Sequence, residues 1–195
     1  MIITAFNGSP VKDGNCEIII KQVLAAAQSL GAEANNYHLN DFPILPCQSC
    51  GESPYPEYCF FDGGLQKMYR DLLESDVIIF ASPVHFDTVS AQSKLFIDRC
   101  NCIRPAIFPD DLNDEPDEVQ FLKRDLRGRK GIIILSGGQR QKFHCARTVI
   151  KGFFKWTGIE FYDEIDIRSS TLRKGVVIEN DELMEKAYEL GRGLL

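Results

Sequence analysis

Apolar and polar positions along this chain follow two periods. Ile2-Ile3-Thr4-Ala5-Phe6, Val77-Ile78-Ile79-Phe80-Ala81 and Gly131-Ile132-Ile133-Ile134-Leu135-Ser136 are short, unbroken apolar runs, the pattern of strands buried on both faces. Ala32 to Leu39 and Ile159 to Ile167 are weaker strand candidates. Between these runs apolar residues recur at helical spacing: Cys16, Ile19, Ile20, Val23, Leu24 and Ala27, then Leu65, Met68, Tyr69, Leu72 and Leu73. Ser90 to Arg99, the stripe of Phe143, Ala146, Ile150, Phe153 and Phe154, and that of Leu183, Ala187, Leu190 and Leu194 complete five helix candidates. Strict alternation of strand and helix predicts a three-layer, doubly wound α/β fold: a five-stranded parallel sheet with helices on both faces. No repeat or low-complexity linker divides the chain, so residues 1–195 are expected to form one domain with two long connections, at about 40–63 and 101–130.

Composition narrows the classes of function. The 195 residues are 44% hydrophobic and 26% charged, and no apolar run approaches the roughly 18 residues of a membrane span. With 22 basic and 28 acidic side chains the net charge is −6, which argues against a nucleic-acid partner. A basic cluster at Lys123, Arg124, Arg127, Arg129 and Lys130 follows an acidic stretch from Asp110 to Glu118 and is expected to be neutralised by it. The first residues read as a strand rather than a secretion signal, and the seven cysteines are an odd number, so a cytoplasmic protein with free thiols is expected. Cys16, Cys100, Cys102 and Cys145 read as packing residues.

The chemistry concentrates at the predicted carboxyl ends of three strands, where open parallel sheets bind ligands. The first turn, Asn7-Gly8-Ser9-Pro10-Val11-Lys12-Asp13-Gly14-Asn15-Cys16, leads from a strand into a helix that starts near Asn15. The amides of that first helical turn and the helix dipole favour a phosphate, glycines 8 and 14 allow close backbone approach, and Ser9 and Asn15 are donors. A plain strand-to-helix turn capped by Asn15 is the alternative. Ser82-Pro83-Val84-His85-Phe86-Asp87-Thr88 offers rings and polar groups suited to a flat heteroaromatic ligand, and Ser136-Gly137-Gly138-Gln139-Arg140 lets backbone approach it. A phosphate at one end and a flat ring at the other describe a mononucleotide. His85 either meets that ring or is an ordinary loop residue, while His38 and His144 read as structural.

Asn7-Gly8-Ser9-Pro10 with Gly14-Asn15, Ser82-Pro83-Val84, Val89-Ser90-Ala91-Gln92, Lys94 and Phe96-Ile97-Asp98-Arg99 together resemble the flavodoxin-fold NADPH-dependent FMN reductases, in particular the branch that contains the iron–sulfur flavoproteins. The resemblance implies strand order 2-1-3-4-5, FMN as cofactor and NAD(P)H as electron donor. Carried over by position, it places Ser9, Lys12, Gly14, Asn15 and Cys16 at the phosphate. Pro83, Val84, His85, Phe86 and Asp87 then fall along the ring, and Ser136, Gly137 and Gly138 at its polar edge. The chain departs from the family pattern at Val11, where a basic residue is usual, at Cys16 in place of a hydroxyl, at His85 in place of tyrosine and at Asp87 in place of glycine. No catalytic side chain is expected, because the flavin performs the chemistry.

Cys47, Cys50 and Cys59 resemble three positions of the branch's four-cysteine cluster motif, with Ser53 in the third position. Four thiolates normally hold such a cluster, so the expectation is a relic loop without iron–sulfur, with a cluster or another metal on those three cysteines, or a redox-active Cys47/Cys50 pair, as the alternatives. The resemblance implies an FMN-dependent NAD(P)H oxidoreductase that passes electrons to a quinone, flavin or other small acceptor, in a homodimer or homotetramer without membrane attachment. Two alternatives stay open: an electron carrier for a protein partner, and a flavodoxin-like protein that no longer binds FMN.

Overall fold

The structure, a computed structural model, describes residues 1–49, 59, 64–103, 126–171 and 173–195. Strands β1 (Ile2–Asn7), β2 (Glu33–His38), β3 (Val77–His85), β5 (Lys130–Gly138) and β6 (Glu160–Ser169) form a parallel sheet in the spatial order β2-β1-β3-β5-β6. Numbered along the chain, the five parallel strands take the expected order 2-1-3-4-5. A two-residue strand, β4 (Thr88–Val89), pairs antiparallel with the end of β3. The helices are α1 (Asn15–Gln28), α2 (Leu65–Glu74), α3 (Ala91–Arg99), α4 (His144–Thr157) and α5 (Asp181–Arg192).

Period-two alternation in the central strands divides their side chains between two cores. Phe6, Ile78, Phe80, Ile133 and Leu135 face α2, α3 and α4, where Phe6 stacks on Phe96 with ring centroids 4.6 Å apart. Ile3, Ala5, Ile79, Ile132 and Ile134 face α1 and α5. Burying each large side chain contributes about 1.5–3 kcal/mol, so the two cores fix the register of the sheet and thereby the positions of its strand ends. Gly191 lets α5 close on α1, since a Cβ there would stand 2.2 Å from the Val23 carbonyl oxygen. At the far edge Arg147 of α4 holds Glu164 and Asp166 of β6 at 2.8 Å each.

Three expectations need correction. Ser82–His85 is not loop but the continuation of β3, which turns back through Phe86 and Asp87 into β4, with Val84 opposite Val89. Such a tight hairpin wants φ > 0 at both turn residues, and Phe86 (φ 49°) and Asp87 (φ 61°) supply it without the usual glycine or asparagine. Ser136–Gly138 likewise belongs to β5. Cys145 is exposed rather than packed, because it lies on the first turn of α4 while Phe143 and Ala146 face the core. The acidic stretch 110–118, Lys123 and Arg124, and Cys50, Ser53 and most of the loop around them lie outside the described residues.

Candidate functional site

The ends of β1, β3 and β5 bring the three predicted segments to one edge of the sheet. Gly8 fastens the first loop to its neighbours: its N–H donates to Ala81 O at 2.8 Å, and its carbonyl accepts from Ser90 Oγ at 2.7 Å. A Cβ at this position would stand 1.8 Å from Ser93 Oγ, so glycine is required by close approach. Ser90 also caps α3, accepting from Ser93 N at 3.2 Å, and its own N–H reaches Ser82 Oγ at 3.0 Å. Beneath the loop, Asn7 Oδ1 accepts from Ser9 N at 3.0 Å, while Asn7 Nδ2, buried, has no partner among the described residues. That orphaned donor is costly unless an acceptor meets it.

α1 begins at Asn15 behind Gly14, which has no side chain with which to cap the first-turn amides. An anion placed there would meet those amides and the positive end of a 14-residue helix. The site residues around it differ in what they offer. Ser9 is buried, with its hydroxyl accepting from Val11 N at 3.2 Å. Lys12 reaches Asp41 at 2.9 Å, and this contact holds the exposed Asp41 carboxyl below its ordinary range. Asn15 turns sideways: Nδ2 donates to Ser136 Oγ at 3.4 Å and Oδ1 accepts from Val177 N at 3.2 Å, joining the first segment to the third. The Cys16 side chain points into the core against α5's side of the sheet, where burial pushes its thiol up to about 12. Its contribution to an anion site is therefore its backbone N–H, not an S–H.

The ring side is assembled differently. Pro83 and Val84 end the buried part of β3, His85 is exposed, and Phe86 is 100% exposed at the hairpin tip. Asp87 Oδ1 accepts from Lys142 N at 2.9 Å and so ties the tip to the segment after β5. Ser136, Gly137 and Gly138 are half-buried at the end of β5. Asn7, Ser90 and Gln141 were not singled out from sequence. Gln141 follows a Gly-Gly pair by three residues, a position that carries no pattern of its own.

Cys47 and Cys59 lie at the C-terminal end of α3. Cys59 Sγ accepts from the buried Arg99 guanidinium at 3.3 Å, and Cys47 Sγ from Asn101 Nδ2 at 3.8 Å. Among the described residues no three histidine, cysteine or acidic side chains are grouped to hold a metal, and Cys50 falls outside them. His38, at the end of β2, has Nδ1 3.8 Å from Asp41 Oδ1, and neither ring nitrogen has a hydrogen-bond partner among the described residues.

A flavodoxin-like sheet with an amide-lined loop after β1 and a ring-bearing hairpin after β3 defines a class of nucleotide-binding α/β proteins. Residues 1–159 match the NADPH-dependent FMN reductase family, and the chain belongs to that family. It is 34% identical over 104 residues to an iron–sulfur flavoprotein of Methanosarcina thermophila, covering 53% of this chain and 54% of that one. It is also 24% identical over 150 residues to a putative NAD(P)H-dependent FMN-containing oxidoreductase of Bacillus subtilis, covering 73% and 70%. The chain thus spans about half the length of the iron–sulfur flavoprotein it matches. Solved structures of the same fold include the Trp repressor binding protein of Bacillus subtilis (TM-score 0.63, 20% identity, 96% of each chain). Oxidised flavodoxin 1 of Bacillus cereus is another (TM-score 0.57, 14% identity, 97% of this chain and 93% of that one). No helix among the described residues is long and apolar enough to cross a membrane.

Proposed function

We propose that the protein binds FMN at the ends of β1, β3 and β5 and works as an NAD(P)H oxidoreductase that passes electrons to a small acceptor such as a quinone or a flavin. The observation that carries this reading is the convergence of two half-sites at one sheet edge, with Asn15 tying the first loop to the end of β5. An amide-rich loop with an orphaned buried donor at Asn7 stands on one side, and a hairpin with a bare aromatic tip stands on the other. The first-turn amides of α1 and Ser9 would hold the phosphate; the His85–Phe86 tip and Gly137–Gly138 would flank the ring. FMN, when bound, supplies hydride acceptance and electron transfer, so the protein's part is to hold, orient and shield. The exposed tip at Phe86 leaves a nicotinamide and then an acceptor room to approach in turn, the arrangement that ping-pong kinetics requires. Homo-oligomerisation and a cytoplasmic setting belong to the same reading; gel filtration checks the first.

The test is anaerobic addition of NADPH and of NADH to the FMN-loaded protein. Loss of the blue flavin absorbance with either, and its return on adding a quinone, is expected. A flavin that binds but is reduced by neither nucleotide would point instead to a carrier fed by a protein partner.

A further inference from the structure

Beside the ring half, the sheet edge opens into a second recess. Gln139 N donates to Ser169 O at 3.1 Å and ties the end of β5 to that of β6. Next to that bond lies a cavity of about 210 Å³, enclosed by the end of β6, the one-turn 3-10 segment Val176–Glu179 and the start of α5. Ile167, Val177 and Leu183 give it an apolar floor, and the exposed Gln139, Arg168 and Ser170 stand at its rim. The recess is fastened to the phosphate half as well: Val177 N donates to Asn15 Oδ1 at 3.2 Å, and Lys174 meets Asp13 of the first loop at 3.7 Å. Arg168 stands between the recess and the ring half. Its guanidinium lies 4.0 Å from the Phe143 ring centroid and donates to Gln141 O at 3.1 Å. Asp166, 3.6 Å away, is already held by Arg147 at 2.8 Å, so the charge of Arg168 is only partly met.

We propose that this recess takes the adenosine end of the nicotinamide dinucleotide, with Arg168 beside the pyrophosphate that links its two ends. The inference rests on the NAD(P)H reading above and adds to it the place where the far end of the donor is held. Pockets for whole small ligands run to about 300–1,000 Å³, so a smaller recess suits one end of a longer molecule. A purine has flat apolar faces and a polar edge. The aliphatic floor complements the faces, and the Gln139 and Ser170 side chains, which bond to none of the described residues, complement the edge. Glu179, the acidic residue of the lining, is neutralised by Arg173. Arg168 adds what the link between the ends requires, a cation with planar donors that match phosphate oxygens. The sequence of chemistries along the edge is then ring-flanking tip and glycines, cation, apolar recess, which is the order of nicotinamide, pyrophosphate and adenosine. β6 neighbours β5, so the recess begins one strand spacing, about 4.8 Å, from the ring half, well within the reach of a dinucleotide.

The test follows anaerobic reduction of the FMN-loaded full-length protein by NADH, by NADPH and by reduced nicotinamide mononucleotide, which carries the same hydride-donating ring without the adenosine end. In wild type the better dinucleotide is expected to half-saturate the reduction rate at a concentration at least about tenfold below that of the mononucleotide. Ser170→Trp sets an indole into the recess. It is expected to raise the half-saturating dinucleotide concentration at least about tenfold and to move that of the mononucleotide by less than about twofold. Gln139→Trp, from the β5 side of the rim, repeats the block where Ser170→Trp does not fold. Equal half-saturation of wild type by dinucleotide and mononucleotide overturns the adenosine site and leaves the NAD(P)H reading intact. A folded tryptophan variant that keeps the full preference for the dinucleotide overturns the recess as its location. Reduction by none of the three removes the NAD(P)H reading itself, and this inference with it.

Discussion

The two halves of the candidate site are built by opposite means. At the phosphate half the backbone does the work: Gly8 is wedged between Ala81, Ser90 and Ser93, and the donors are main-chain amides of α1. At the ring half, side chains cross between strand ends: Asp87 to Lys142, and Gln141 to Val84 and Gly138. The first half is part of the packed core, and altering it is felt by the whole fold. The second is a surface assembly whose parts can change without loss of the sheet. Binding and stability should therefore be coupled at one end of the site and separable at the other.

Gly8→Ala is the strongest way to test that contrast. Its Cβ would overlap Ser93 and spread β1 from α3, at a cost of about 1–3 kcal/mol, typical of overpacking. Urea denaturation should show that loss together with loss of FMN binding. Asn15→Ala removes the hydrogen bond to Ser136 that joins the halves and a second one to Val177, and about 1–2 kcal/mol of destabilisation is expected with weakened FMN binding. At the ring half, Phe86→Ala removes a side chain with no buried surface, so stability should stay within about 0.5 kcal/mol while the kinetics with NAD(P)H or acceptor change. A Phe86→Ala protein that unfolds as readily as Gly8→Ala would erase the distinction.

The smallest effect concerns pH. Cys16 has a folded-state pKa of about 12 against an ordinary value of 9.0, so above pH 9 the folded state binds more protons than the unfolded one. Stability is then lost as pH rises from about 9 toward 12 and is untouched at neutral pH. Cys16→Ala should flatten part of that decline in denaturation experiments at pH 7.5, 9 and 10.5. An identical slope in both proteins would show that the thiol is not held in the core.

The layered fold was legible because unbroken isoleucine-rich runs and helical stripes leave few other ways to bury them, and the turn from β1 into α1 because a strand, two glycines and a helix start follow in close order. The β3–β4 hairpin was not, since its turn uses Phe86 and Asp87 where the local pattern asks for glycine or asparagine. The inward turn of Cys16 was legible from its place in the apolar stripe of α1, although the loop motif also put it at the phosphate. Gln141 was silent because its role arises from register between two strands far apart in sequence. Asn7 stood inside the recognised motif, but only the structure shows that its buried amide nitrogen lacks a partner among the described residues.

The central claim is that a phosphate is held by the mouth of α1. It is tested most directly by comparing FMN with riboflavin, which is the same ring system without the phosphate, in parallel calorimetric titrations of the flavin-free protein. Several charge-assisted hydrogen bonds predict at least about a hundredfold tighter binding of FMN. Equal affinities, or no binding of either, would contradict the account.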